Sequence, residues 1–251
     1  MIHFVGAGSG AVDLITVRGQ KYLSEADVIV YAGSLVNPEL LHCAKKECQI
    51  YDSASMTLEE VIDVMKRAEL EGKMSVRLHT GDPSIYGAIR EQMDLLDEAN
   101  IAYDVVPGVS SFCGAAAAMH AEYTLPDVSQ TVIITRMAGR TPVPEKEEIA
   151  LLAAHQASMV IFLSTGMLEE LTERLIAGGY TKDTPAAIVY KASWPDERKF
   201  LATVGTLAQI ARENNITKTA LIMVGNFLGN EYERSKLYDP TFTHEFRAAT
   251  K

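Results

Sequence analysis

The sequence predicts an α/β protein, and three observations predict it: short apolar runs rich in β-branched residues, amphipathic helical patterns between them, and glycine turns directly after several runs. The runs are residues 2–5, 27–31, 75–78, 103–106, 131–135, 158–163, 186–190, 200–203 and 220–224. A 3.6-residue periodicity marks helices over 57–71, 83–100, 167–178 and 206–215. Thr57 and Glu60 form an S/T-x-x-E capping box at the start of the first of these. Strands alternating with helices imply sheets with many parallel neighbours, which bind ligands beyond the carboxyl ends of their strands.

A chain of 251 residues holds one large α/β domain or two modest ones. The turn Thr124-Leu125-Pro126-Asp127 follows an alanine-rich helix and precedes a new strand, which divides the chain into residues 1–125 and 126–251. Residues 137–148 carry two prolines, a glycine and a charge run, loop chemistry that leads into a helix. From about residue 230 a tail rich in Tyr, Phe and charge reads as an irregular extension over the second domain or a partner subunit.

Composition narrows the function. Hydrophobic residues make up 47% and charged residues 22%, which excludes disordered and fibrous classes. A net charge of −10 without a basic cluster argues against nucleic acid. The three cysteines, Cys43, Cys48 and Cys113, point to a reducing compartment, and Cys43 and Cys48 lack the second pair that a zinc site requires. The opening MIHFVGAGSG does not read as a signal peptide, and no run reaches the ~18 apolar residues of a membrane span. A soluble, cytoplasmic protein without a membrane partner is expected.

Three glycine loops carry the candidate chemistry. The first, GAGSGAVD at 6–13, suggests a dinucleotide fingerprint, but Gly6, Gly8 and Gly10 do not have the G-x-G-x-x-G spacing, and a tight backbone turn explains them as well. In the second, residues 78–87, Gly81 clears space at the backbone, Asp82 is placed to cap a helix and Pro83 to open it. That turn needs no ligand. The third, 106–111, precedes the small residues 115–118, against which a flat ligand or a neighbouring strand could pack.

Serine-hydrolase elbows, Walker A loops, H-E-x-x-H pairs and four-cysteine zinc patterns are missing from the sequence. Of six scattered histidines only His79 borders a candidate loop, and a structural role, satisfied by backbone, is the favoured reading for it. A reaction without a protein nucleophile fits such a chain, because positioning alone supplies much of a rate.

Taken in order, GAGSGAVDLITVRG from Gly6, YAGSLV from Tyr31, HTGDPSIYGA from His79, VPGVSSF ending at Phe112, ITRMAGRTPVP from Ile134, IFLS from Ile161, YKASWPDE from Tyr190 and TALIMVGNFLG from Thr219 span almost the whole chain. In this order the sequence resembles the tetrapyrrole (precorrin and uroporphyrinogen) methyltransferases. The resemblance implies two α/β domains of the tetrapyrrole-methylase type with an S-adenosylmethionine cleft between them, S-adenosylhomocysteine as product, a precorrin-type tetrapyrrole as substrate and a homodimer. It assigns the cofactor to Gly81, Asp82, Pro83, Ile85, Tyr86, Ser110, Ser111, Leu163, Ala192 and Ala220. Gly8, Leu14 and Ser34 fall on the macrocycle side.

Because such substrates carry several carboxylates, cations beside the motifs should grip them, and Arg18, Arg136, Arg140 and Lys191 are the candidates. The uroporphyrinogen branch has an acidic residue after the second strand, suggested as a base. Here Ala32-Gly33-Ser34 follows Tyr31, as in the branch that methylates carbon 11, so no general base and no metal ligand is assigned. Cobalt-containing and metal-free substrates remain alternatives, and an NAD-binding oxidoreductase or a non-catalytic corrinoid carrier are rivals of other classes.

Overall fold

The computed structural model describes residues 1–250, and for Ser34 the backbone only. The chain divides into two compact units, residues 1–115 with 191–197, and 116–190 with 198–250.

The first unit is built on five parallel strands, β1 (Ile2–Gly6), β2 (Val28–Tyr31), β3 (Gln49–Asp52), β4 (Ser75–His79) and β5 (Tyr103–Val106), in the order β3-β2-β4-β1-β5. Both β1 and β4 are buried along their full length, as parallel strands covered on two faces must be. Successive side chains serve opposite faces. Val5, Ile29, Val76 and Leu78 pack with Leu23 of α1 (Val17–Glu25). Ile2, Phe4, Val28 and Val30 pack with Val61 and Met65 of α2 (Leu58–Leu70) and Leu96 of α3 (Ile89–Glu98). The capping box at α2 forms: Thr57 N–H donates to Glu60 Oε2 at 2.8 Å, and Glu60 N–H to Thr57 Oγ1 at 3.3 Å. The helix after β5 is α4 (Ser111–Met119).

The edge strand β3 escapes the hydrophobic pattern because only β2 flanks it, so exposed Gln49 and Asp52 are tolerated there.

The second unit holds β6 (Val132–Arg136), β7 (Ser158–Phe162), β8 (Pro185–Tyr190), β9 (Arg198–Thr203) and β10 (Ala220–Val224), in the order β6-β7-β10-β8-β9. Here the expectation of parallel neighbours holds for β6 and β7 alone. No helix separates β8 from β9, so they pair antiparallel, and β10 runs antiparallel to both β7 and β8. Three helices, α5 (Ile149–Ala153), α6 (Leu168–Ala177) and α7 (Leu207–Glu213), bury Ile149, Leu171, Leu175 and Leu207 with Met159, Ile161, Ile188 and Ile222 of the sheet. In the tail, Arg247 Nη2 donates to the carbonyls of Leu237 and Asp239 at 2.9 and 2.6 Å, while Tyr238 and Phe246 stay exposed. No helix among the described residues is long and apolar enough to cross a membrane.

Candidate active site

Strands β1 and β4 lie side by side, and their connections leave to opposite faces, through α1 and α3. Their carboxyl ends therefore form a topological switch point, where open α/β sheets bind ligands. The three glycine loops meet there. Ala7 N–H donates to the His79 carbonyl at 2.7 Å, and Gly8 and Gly81 exchange backbone hydrogen bonds of 3.3 and 3.0 Å. Gly108 N–H donates to Asp82 Oδ2 at 2.8 Å. Only glycine permits this approach: a β-carbon on Gly108 would stand 2.8 Å from Gly6 Cα and overlap the Gly81 carbonyl oxygen.

The structure corrects the reading of Asp82 as a helix cap. Its Oδ1 accepts from the Ser84 N–H at 2.8 Å and from the Ser84 hydroxyl, which closes a local turn while Oδ2 holds Gly108. Burial raises the carboxyl pKa, but the Ser84 hydroxyl and the Gly108 and Ser84 N–H groups outweigh it, and the value lies below the ordinary one. With those acceptors committed, the helix predicted over 83–100 starts only at Ile89, after Tyr86 (φ 56°) and Ala88 (φ 49°) in left-handed backbone. Residues 82–88 are thus a loop that presents Tyr86, 46% exposed.

Gly81 faces the third loop, since a β-carbon there would lie 3.5 Å from Ser110 Cα. Ser110 is buried, and its carbonyl accepts the N–H groups of Cys113 and Gly114 in the first turn of α4. The small-residue helix packs against loops rather than a strand, because a β-carbon on Gly114 would meet Ser9 Cβ at 2.8 Å and Ala192 Cβ at 3.5 Å. Gly81, Asp82, Pro83, Ile85, Tyr86, Ser110, Ser111 and Ala192 accordingly belong to one neighbourhood of the first unit.

His79 does not serve as an acid or base near neutral pH. It is 3% exposed, stacks on Phe4 with ring centroids 6.0 Å apart, and its Nε2 has no hydrogen-bond partner among the described residues. Burial, and then the charge of Arg77, pushes its pKa down to about 3. Arg77 is itself buried and donates to Gln92 Oε1 and the Val30 carbonyl, both at 3.1 Å.

On the first loop, Gly8 (φ 82°) packs against the Leu14 carbonyl, which a β-carbon would approach to 2.7 Å. The dinucleotide reading fails here: Gly6 and Gly8 are hemmed in by neighbouring backbone and Gly10 by the Trp194 indole, and α1 begins only at Val17. Arg18 is exposed and forms no ion pair among the described residues. The Ser34 side chain lies outside the described part of the structure. Lys191 (φ 48°) pairs with Asp196 at 2.7 Å.

In the second unit, Leu163 follows β7 in left-handed backbone (φ 52°) and is 63% exposed. A bulky apolar residue held there stores roughly 1–3 kcal/mol of strain, a common mark of a ligand site. Ser164 beside it is buried, donates to the Phe162 carbonyl at 2.7 Å and accepts from Met137 N–H at 2.9 Å. Thr165 Oγ1 donates to the Ala220 carbonyl at 3.2 Å, which brings Leu163 and Ala220 to neighbouring strand ends. Arg136 spends its guanidinium on the carbonyls of Met137, Thr141 and Pro142, at 3.1, 3.1 and 2.7 Å, whereas Arg140 is exposed and forms no ion pair among the described residues. No group of three or more His, Cys, Asp or Glu residues among those described is arranged to hold a metal.

Sequence reasoning missed the pairing of Gly6 with Gly108 and the placement of 191–197 in the first unit. The signal for the second was a glycine-free, Trp-Pro-containing connection between two strands with no helix to carry it.

The family model for tetrapyrrole (corrin/porphyrin) methylases matches residues 1–208. A cobalt-precorrin-4 C(11)-methyltransferase of Methanocaldococcus jannaschii is 54% identical over 251 residues, covering 100% of this chain and 97% of that protein. A precorrin-4 C(11)-methyltransferase of Sinorhizobium sp is 43% identical over 248 residues, covering 98% of each. The X-ray structure of a cobalamin biosynthetic enzyme, cobalt precorrin-4 methyltransferase, superimposes with a TM-score of 0.89 at 46% identity, over 91% of this chain and 96% of that one. With the glycine loops at the switch point and a match across most of its length, the chain belongs to the tetrapyrrole (corrin/porphyrin) methylases.

Proposed function

We propose that this protein transfers the methyl group of S-adenosylmethionine to carbon 11 of cobalt-precorrin-4, giving cobalt-precorrin-5A in cobalamin biosynthesis. Full-length likeness to enzymes named for that reaction supports the substrate, and the higher identity on the cobalt side, 54% against 43%, favours the metal-bearing macrocycle. The observation that carries the reading is the knot of Gly8, Gly81, Asp82 and Gly108 at the switch point. It presents backbone and an aromatic side chain, Tyr86, and its carboxylate, Asp82, is committed to Ser84 and Gly108. That suits a reaction carried by positioning rather than by a protein nucleophile.

The sulfonium supplies an electrophilic methyl that an electron-rich ring carbon attacks in line. The chain's part is positional. The Asp82 staple fixes the loop that carries Ile85 and Tyr86, and Ser110 and Ser111 line the adjoining loop. Leu163 and Ala220 are the proposed cofactor contacts of the second unit. The loops of the first unit position the methyl group about 3–3.5 Å from the attacking carbon and keep water from it. Gly8 and Leu14 form the macrocycle side, where Arg18, with no ion pair among the described residues, offers its guanidinium to carboxylates, and Arg140 of the second unit is a further candidate. Arg136 and Lys191 would share donors already in use. We read the enzyme as cytoplasmic and homodimeric, with the exposed aromatic tail favouring contact with a second copy.

Purified protein incubated with labelled S-adenosylmethionine and either cobalt-precorrin-4 or metal-free precorrin-4 tests the reading. Faster methylation of the cobalt form is expected. Preference for the metal-free form overturns the cobalt assignment, and labelling of neither overturns the activity.

A further inference from the structure

We infer that Trp194 is a substrate-contacting residue: its indole lies on the first glycine loop and offers both a flat face and an N–H donor to the anionic macrocycle. The inference rests on the proposed methylation of a carboxylate-bearing tetrapyrrole.

Three observations place the indole. Gly10 takes φ 153°, and a β-carbon there would overlap Cδ1 and Nε1 of Trp194, so the ring lies flush on bare backbone. Ser193, at φ 65°, is held in left-handed backbone by Ser9 Oγ at 2.8 Å, by the Ala11 N–H donating to its hydroxyl at 3.1 Å, and by its own N–H donating to Glu197 Oε2 at 2.6 Å. The Lys191 ammonium sits 5.2 Å from the indole centroid and is tied to Asp196. A strained segment held by this many contacts is over-determined, which marks a functional loop more often than a passive connection.

The surroundings specify the ligand. Asn37 Nδ2 donates to the Gly10 carbonyl at 2.8 Å, which brings the turn after β2 to the same loop. Val12 and Leu35 on these loops, and Val17 at the start of α1, are exposed although apolar, at 43%, 44% and 87%. Arg18 follows Val17 without an ion pair among the described residues. The indole N–H likewise makes no hydrogen bond among the described residues, and Trp194 is partly exposed, so the donor is open to a ligand. An apolar rim, a free guanidinium and a free N–H beside an aromatic plane fit a flat ring edged with carboxylates.

The test compares wild type, Trp194→Phe and Trp194→Ala in methylation of cobalt-precorrin-4, together with the Kd for S-adenosylhomocysteine. Trp194→Ala should raise the macrocycle KM about tenfold, equivalent to ~1.4 kcal/mol, with the cofactor Kd changed less than twofold. Trp194→Phe keeps the plane and loses the donor, so its KM should fall between the two. A macrocycle KM within twofold of wild type in Trp194→Ala overturns the assignment, as does a parallel rise in KM and cofactor Kd, which would make Trp194 a mere support of the loop. Should Trp194→Ala not fold, Trp194→Phe decides by the same two numbers. Wild-type protein that methylates nothing defeats the reading beneath this one instead, so the two failures are distinct.

Discussion

The Asp82 carboxylate accepts the Gly108 N–H at 2.8 Å, and this one bond locks the loop after β4 to the loop after β5. Removing it should be felt in cofactor affinity more than in global stability. Asp82→Ala loses the acceptors for both Ser84 and Gly108, at a cost of about 1–2 kcal/mol for a partly exposed group. S-adenosylhomocysteine binding by calorimetry should weaken at least fivefold. Asp82→Asn has one carbonyl oxygen where two acceptors are needed and should lie between. Unchanged affinity in both variants would falsify the stapling role.

Gly108→Ala should be more severe. Its methyl would meet backbone on two sides, the Gly81 carbonyl and Gly6 Cα, neither of which can rotate away. We expect ~3 kcal/mol or more from urea unfolding, at the upper end of overpacking costs. Gly139→Ala is the control, since only the flexible end of Met167 comes within 4 Å. Equal midpoints for the two variants would show that the loops are not tightly knotted.

Acid should weaken the fold through His79. Its folded pKa, about 3, lies below its ordinary value near 6.5, so the unfolded chain binds the extra proton between them. Stability therefore rises with pH across that window and falls as pH drops below about 6.5, by up to ~1.4 kcal/mol per pH unit. Asp82 acts in a lower window. Its depressed pKa leaves the staple intact above the ordinary carboxylate range and loses it only below that. Urea midpoints at pH 7.5 and 5.5 should differ clearly in wild type and much less in His79→Gln. An identical loss in the variant would assign the acid sensitivity to other groups.

Gly10→Ala should displace the chain's one tryptophan, since the new methyl occupies the indole's position. Tryptophan emission should shift to the red and its quenching by acrylamide should increase. An unaltered spectrum would mean that the ring does not rest on Gly10 in solution.

Much of this architecture could be read from residue pattern alone. Strands such as β4 and β10, buried along almost their whole length, show as apolar runs, and the Thr57–Glu60 box fixed the start of α2. β3 stayed hidden because an edge strand need not be apolar. The start of α3 was placed too early for a different reason. Asp-Pro is a sound helix start when the carboxylate is free, but Gly108, 26 residues onward, competes for it. Partners that distant in sequence leave no local signature. The same holds for Ser193 and Ser9, separated by 184 residues, and for Arg136, whose donors fold its own loop.

The assignment of residues 191–197 to the first unit, while β8 and β9 on either side belong to the second, gives the chain a genealogy that no single cut can reproduce. A fragment ending near residue 120 would leave Ser9 and Ala11 without the Ser193 hydroxyl and Gly10 without its indole cover. Shuffling either half into another protein would therefore strip the first glycine loop of its roof.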